Sequence, residues 1–257
     1  MKEIPILFST PMVQALLDGR KTMTRRIVNT KRSGWDCQTM KFALSKIIRA
    51  IDTKISSVIG FHAFFQANDS DHKLGTMCHY GQPGDVLWVR ESFSFWLDAI
   101  KYKADGESVL KGFKYKPSIH MRKDYARIWL QVEEIRVEQL QDISEEDAKS
   151  EGILPAIESS SSFLYYDKYS MKLLAGGAMK TEVIKGEKVR IGASYTGAKS
   201  SFRSLWTYIN GPQSWDSNPW VWVVKFKTLS TTGKPQMCYK TNELCKYDCI
   251  GLCRESM

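Results

Sequence analysis

From Ala126 to Val137 the apolar residues Ile128, Leu130 and Val132 fall on every second position, with Trp129 and Gln131 between them. A two-residue period puts alternate side chains on opposite faces of an extended chain, so the stretch predicts a long strand with one face in a core. A strand of that kind commits the chain to a sheet, and the sequence supplies partners for it. Trp220-Val221-Trp222-Val223-Val224-Lys225-Phe226 reads as a buried closing strand. Gln82-Pro83-Gly84-Asp85 is turn chemistry leading into Val86-Leu87-Trp88-Val89-Arg90-Glu91, and Ile4 to Phe8 is a short buried strand.

Helices separate these strands. Ser9-Thr10-Pro11 supplies a cap residue and a first-turn proline, Met12, Leu16 and Leu17 an apolar face, and Gly19 a left-handed end. The chain then runs as an alternating edge strand through Arg20-Lys21-Thr22-Met23-Thr24-Arg25-Arg26-Ile27-Val28. Ser144 caps a second helix with Asp147 at its third position and Gly152 at its end. Phe202, Leu205, Trp206 and Ile209 keep helical spacing over 199–210, which Asn210-Gly211-Pro212 terminates.

Three stretches interrupt this frame. Residues 29–80 are expected to be an insertion with one helix, from the spacing of Leu44, Ile47, Ile48, Ile51, Ile55, Val58 and Ile59. Residues 97–123 read as irregular, and 154–198, rich in Ser, Gly and Lys, as a mobile insertion whose Ser159–Ser162 run is disordered. The expected fold is α+β, a small mixed β-barrel with flanking helices and no parallel βαβ sheet. One domain covers 1–229, and a cysteine-containing tail covers 230–257.

The 37 Lys and Arg against 28 Asp and Glu leave a net charge of +9, which suits a polyanionic partner and equally suits plain solubility. No run approaches the ~18 apolar residues of a membrane span, and the apolar start is too short for a secretory signal, so a cytoplasmic location with no membrane partner is expected. Six cysteines in a chain of 257 residues do not make a disulfide framework, and reduced thiols are expected.

The sequence resembles the ASCH domains, relatives of the PUA fold, and especially their insertion-rich phage and prophage members. The resemblance rests on Pro5 to Ile27 with its Gly-Arg-Lys-Thr core, Tyr80 to Phe93 around Gly84-Asp85-Val86-Leu87-Trp88-Val89-Arg90-Glu91, Pro117 to Met121 with Ala126-Arg127-Ile128, Asp142 to Ala148, and Asn218-Pro219-Trp220-Val221-Trp222. It implies a PUA-like barrel that binds RNA, single-stranded DNA or a modified nucleoside. A compact branch of that family is similar to amidohydrolases that deacetylate N4-acetylcytidine, with catalytic Lys, Thr and Glu. Its motif maps onto Gly19, Arg20, Lys21, Thr22, Thr24 and Arg26, and its Glu onto Glu151. The resemblance thus implies Lys21, Thr24 and Glu151 as catalytic residues and no cofactor.

A threonine hydroxyl needs a base before it attacks an amide, and a lysine of pKa about 10.4 is rarely neutral at pH 7. Burial and the neighbouring Arg20, Arg25 and Arg26 would lower that value. Glu151 would anchor a substrate amine or relay protons to the leaving nitrogen. Arg20, Arg25 and Arg26 suit an anionic group or an oxyanion. Arg90, Glu91 and His120, in the family-like segments, complete the expected substrate contacts. Three readings stay open on these residues: an enzyme acting on an acylated nucleoside, a binding module without chemistry, and a phage assembly or host-interaction protein that only the resemblance suggests.

Other clusters carry less. His62, His72, Cys78 and His79 fit no zinc spacing and read as surface residues of an insertion, while Cys238, Cys245, Cys249 and Cys253, spaced seven, four and four, read as an unstructured tail with a metal knuckle as the alternative, and no metal is expected. Trp35, Trp96 and Trp215 fall in expected loops, where indoles can stack on bases.

Overall fold

The computed structural model describes residues 1–29, 42–49, 61–67, 73–97, 99–106, 114–153, 162–164, 180–184, 187–191 and 194–235. In chain order these form β1 (Glu3–Leu7), α1 (Thr10–Leu17), β2 (Met23–Ile27), β3 (Phe42–Arg49), β4 (Phe61–Ala67), β5 (Lys73–Met77), β6 (Val86–Arg90), β7 (Phe93–Trp96) and β8 (Ala99–Tyr102). Then follow β9 (Trp129–Gln139), α2 (Glu145–Ser150), β10 (Ser162–Leu164), β11 (Lys180–Ile184), β12 (Glu187–Ile191), β13 (Ser194–Thr196), α3 (Ala198–Asn210) and β14 (Trp220–Ser230). The class is α+β, as expected.

The main sheet has the order β1-β6-β9-β14-β2, with β1 parallel to β6 and every other pair antiparallel. Among the described residues no backbone pairing joins β1 to β2, so the sheet is not a closed barrel. Its two edges are nevertheless linked by a side chain, because Arg26 Nη2 donates to Leu7 O at 2.7 Å.

Strand β14 shows why its sequence is apolar without a break. Trp222, Val224 and Phe226 enter a core with Ile6, Phe8, Val13, Leu16 and Leu130, while Val221 and Val223 enter a second core under α3 with Phe202, Trp206 and Trp215. In β9 the alternation changes phase: Leu130 and Val132 are buried, then Ile135 and Val137. Val132 pairs with Phe226 and Glu134 with Lys225, so Glu133 is an extra, unpaired residue, and such a bulge moves every following side chain to the other face.

Several expectations are corrected. The segment 42–49 is a strand, paired antiparallel with β4, which pairs in turn with β5, so the expected helix does not form there; the rest of its span, 50–60, lies outside the described residues. Residues 97–123 contain β8, which forms a hairpin with β7, and the short 3₁₀ turns Lys103–Asp105 and Ser118–His120, with a third, Lys123–Tyr125, beginning at their end. The 154–198 insertion contains two antiparallel pairs, β10 with β13 and β11 with β12. Ser162 begins β10, while Ser159–Ser161 lie outside the described residues. Trp215 stands in the loop after α3, as expected, but is 6% exposed and packs into the core under α3, and Trp96 ends β7; Trp35 and the tail from 236 onward are not described. In α1 the buried residues are Val13, Ala15 and Leu16, and Ser9 caps through its carbonyl, which Val13 N meets at 3.0 Å, and not through its hydroxyl. Among the described residues no helix is long and apolar enough to cross a membrane.

Candidate functional site

The expected edge strand is β2, and it carries the site. Gly19, with φ of 71°, ends α1 as a left-handed residue and aims the chain at α2. There Lys21 and Glu151 form an isolated antiparallel bridge, and Thr22 N donates to Ser150 O at 2.9 Å. Ser144 Oγ accepts from Asp147 N at 3.0 Å, so the expected cap holds α2 and delivers Glu151 at its end. Gly152 follows with φ of 91°, and a Cβ there would lie 2.8 Å from Ala15 Cβ and 3.0 Å from Lys21 Cβ. This close approach of two backbones is what places Lys21 against Glu151.

Lys21 is fully buried. Its Nζ donates to Met23 O at 2.7 Å, Glu151 O at 2.8 Å and Glu151 Oε2 at 2.8 Å. An ammonium has three N–H groups, so all are committed. Burial pulls the Lys21 pKa below the ordinary lysine value, Glu151 pulls it back up, and Arg26 and Arg25 push it further down. To serve as a base toward Thr24 the amine would first have to hand a proton to Glu151 across that 2.8 Å bond.

Arg25, whose side chain is also without exposure, is a structural cation. Its Nε and Nη2 donate to Glu138 Oε1 at 2.9 and 2.6 Å, Nη2 also to Asp147 Oδ2 at 2.8 Å, and Nη1 to Glu151 Oε1 at 3.2 Å and Met23 Sδ at 3.5 Å. The five N–H groups of a guanidinium therefore all find acceptors. Arg136 closes the network from the solvent side, bonding Glu138 Oε2 at 3.1 Å and also Asp147. Arg20 ties Gly152 O at 2.7 Å to Asp18 Oδ2 at 2.7 Å.

A cavity of about 150 Å³ opens beside this network, lined among others by Thr24, Arg25, Arg26, Tyr80, Glu151 and Trp206. Phe202 adds a second aromatic wall, and the exposed Ile27 and Ile209 form its rim. Thr24 is 1% exposed, and among the described residues its hydroxyl has no hydrogen-bond partner. Arg26 rests on the Phe8 ring, with its Cζ 5.3 Å from the ring centre, and among the described residues it donates only to Leu7 O. The cavity thus gathers Thr24, Arg25, Arg26 and Glu151, with Lys21 directly behind Glu151.

Four expected residues lie elsewhere. Arg20 does not line the cavity. Glu91, 1% exposed, is held by Arg127 through bonds of 2.9 and 3.0 Å, and burial raises its pKa although Arg127 opposes the rise. Arg127 continues to Asp105 at 2.8 Å. Arg90 donates to Ile119 O and stacks on Trp88, and its Nε is buried without a partner. His120 is exposed on its 3₁₀ turn. These three belong to a structural corner around β7 and not to the cavity.

The lining residues that the sequence did not assign to the site include Tyr80, Phe202 and Trp206 as well as Met12, Ile27, Leu205, Ile209 and Asn210. Phe202 and Trp206 were visible as the apolar face of α3, which serves both core and cavity. Tyr80 carried no signal beyond standing before a turn. No group of three metal-ligating side chains occurs among the described residues, and Cys78 sits in the core, where burial pushes its thiol up to about 12. His72 and the His62 side chain lie outside the described residues. Against protein-family models, curated proteins and solved structures the chain has no match.

Proposed function

We propose that this chain is an ASCH-type, PUA-like protein whose cavity over Thr24 and Glu151 takes one base of a modified nucleoside. The observation that carries the reading is the cavity itself: a carboxylate, a hydroxyl and a guanidinium line one aromatic-walled space of about 150 Å³. Pockets for drug-sized ligands run to roughly 300–1,000 Å³, so a single ring system fits here and a stretch of polymer does not. Glu151 accepts from an exocyclic amine or a ring N–H, while Phe202 and Trp206 cover apolar surface. The mixed sheet, with one parallel pair and its edges bridged by Arg26, supports the PUA-like assignment.

The unpartnered Thr24 hydroxyl favours a second reading, amide hydrolysis of an acylated nucleoside such as N4-acetylcytidine. Thr24 Oγ1 would attack the acyl carbon, its proton passing to Glu151 and then to the leaving nitrogen, and water would cleave the resulting ester. Lys21, its three N–H groups committed, would hold Glu151 in place as the proton moves.

Titration calorimetry with cytidine and N4-acetylcytidine, followed by chromatography of the mixtures, tests both. Binding of either nucleoside that Glu151→Gln weakens at least tenfold supports the site, and absence of binding refutes it. Acetate release that Thr24→Val abolishes supports hydrolysis; binding without release leaves a module that recognises and does not cleave.

A further inference from the structure

The cations of the basic segment differ in how many donors they have left. Lys21 has none and Arg25 has none, while Arg20 spends its guanidinium on Asp18 and Gly152 outside the cavity. Arg26 uses one N–H of its five, for Leu7 O, and it lines the cavity. Tyr80 lines the same cavity, and among the described residues its hydroxyl has no hydrogen-bond partner. Burial holds that phenol above its usual pKa with the Arg26 charge opposing, so at neutral pH it is a donor.

Charge follows the same division. Behind the cavity, Lys21, Arg25 and Arg136 are matched by Glu151, Glu138 and Asp147, with the half-exposed Glu134 at the solvent end. Arg26 has no ion-pair partner among the described residues. A positive charge without a salt bridge among the described residues, on which Glu151 acts only through space, a planar fork of N–H donors and a phenolic O–H therefore face one small cavity. A guanidinium fork matches a carboxylate in geometry as well as in charge.

We infer that Arg26 and Tyr80 are the specificity-determining pair of this cavity and that its ligand is a monoanion, a flat ring bearing a carboxylate, in preference to a neutral base. The inference rests on the cavity being a base-sized binding site, and it adds the charge of what binds there. Arg26 supplies the charge and the fork, Tyr80 a further donor, and Glu151, which lines the same cavity, accepts a ring N–H.

The test uses the full chain and three probes: orotate, its neutral amide orotamide, and cytosine. The wild type is expected to bind orotate at least tenfold more tightly than orotamide. Tyr80→Phe, which keeps the ring, and Arg26→Gln should each bring that ratio toward one, with thermal unfolding confirming that both variants fold. A ratio near one in the wild type, with cytosine bound, overturns the anion preference and leaves the base-sized site standing. A tenfold ratio that survives in both variants also overturns the inference, because the anion would then be read by other residues. If none of the three probes binds, the binding site itself is refuted and the inference falls with it.

Discussion

The Lys21 ammonium and the Glu151 carboxylate lie 2.8 Å apart, with side-chain exposures of 0% and 3%. A buried pair of this kind adds little over two apolar groups, but removing one member strands the other charge without water. Lys21→Met is therefore expected to cost about 3–5 kcal/mol in urea unfolding. Glu151→Gln in the same chain should recover only part of that loss, because Arg25 still partners the Glu151 carboxylate in Lys21→Met and loses that acceptor in the double variant. A double variant no more stable than Lys21→Met would show that the loss comes from packing.

Gly152 joins a left-handed backbone to a contact that leaves no space for a methyl group. Gly152→Ala should cost more than about 2 kcal/mol, combining backbone strain with overpacking. Ala15→Gly in the same chain removes the 2.8 Å contact and should restore only part of the steric share, since the 3.0 Å approach to Lys21 Cβ and the φ of 91° remain. Denaturation midpoints of the two single variants and the double variant measure both parts.

Cys78 combines chemical silence with a pH signature. Its thiol titrates near 9.0 when unfolded and near 12 in the fold, so the folded state keeps its proton longer. The stability this contributes is fully present below about pH 9 and is lost as pH rises toward about 12. Mass-spectrometric mapping after iodoacetamide treatment at pH 8.5 should find Cys78 unmodified until denaturant is added. Modification in the folded protein would contradict its burial.

Ser144 holds α2, a helix of six residues with Glu151 at its end. Ser144→Ala should cost about 1 kcal/mol. Because so short a helix has little else to fix its first turn, the loss should also weaken nucleoside binding several-fold, whereas Ser144→Asp should keep both. Chemical denaturation and calorimetry on the same samples would check the two effects together.

Much of the frame around the site could be read from the residues. Gly19, the β2 edge, the Ser144 cap and the closing Trp-rich strand each have a local cause, a glycine conformation, a hydroxyl acceptor or an apolar period, that needs no knowledge of the fold. The 42–77 sheet could not be read in this way. Its register shifts between Leu44 and Lys46, and once the two-residue period is broken, a spacing of three no longer separates strand from helix. The division of labour among the cations was equally hidden. Arg25 and Arg26 are adjacent in sequence and alike in charge, and only the placement of Glu138 and Asp147, over a hundred residues away, commits one and leaves the other open. Glu91 and Arg90 stand away from the cavity, and their partners, Arg127 and Ile119, lie in segments whose position the sequence does not give.

The bond from Arg26 to Leu7 O also bears on how molecules of this protein meet each other. Strands β1 and β2 are the two rims of an open sheet, and a rim with unsatisfied backbone groups is a template on which a second molecule can lay a strand. Here a charged side chain bridges the two rims, so an incoming strand would have to displace a guanidinium and bury its charge. The same arginine that lines the cavity thus also covers one point of the sheet's open edge.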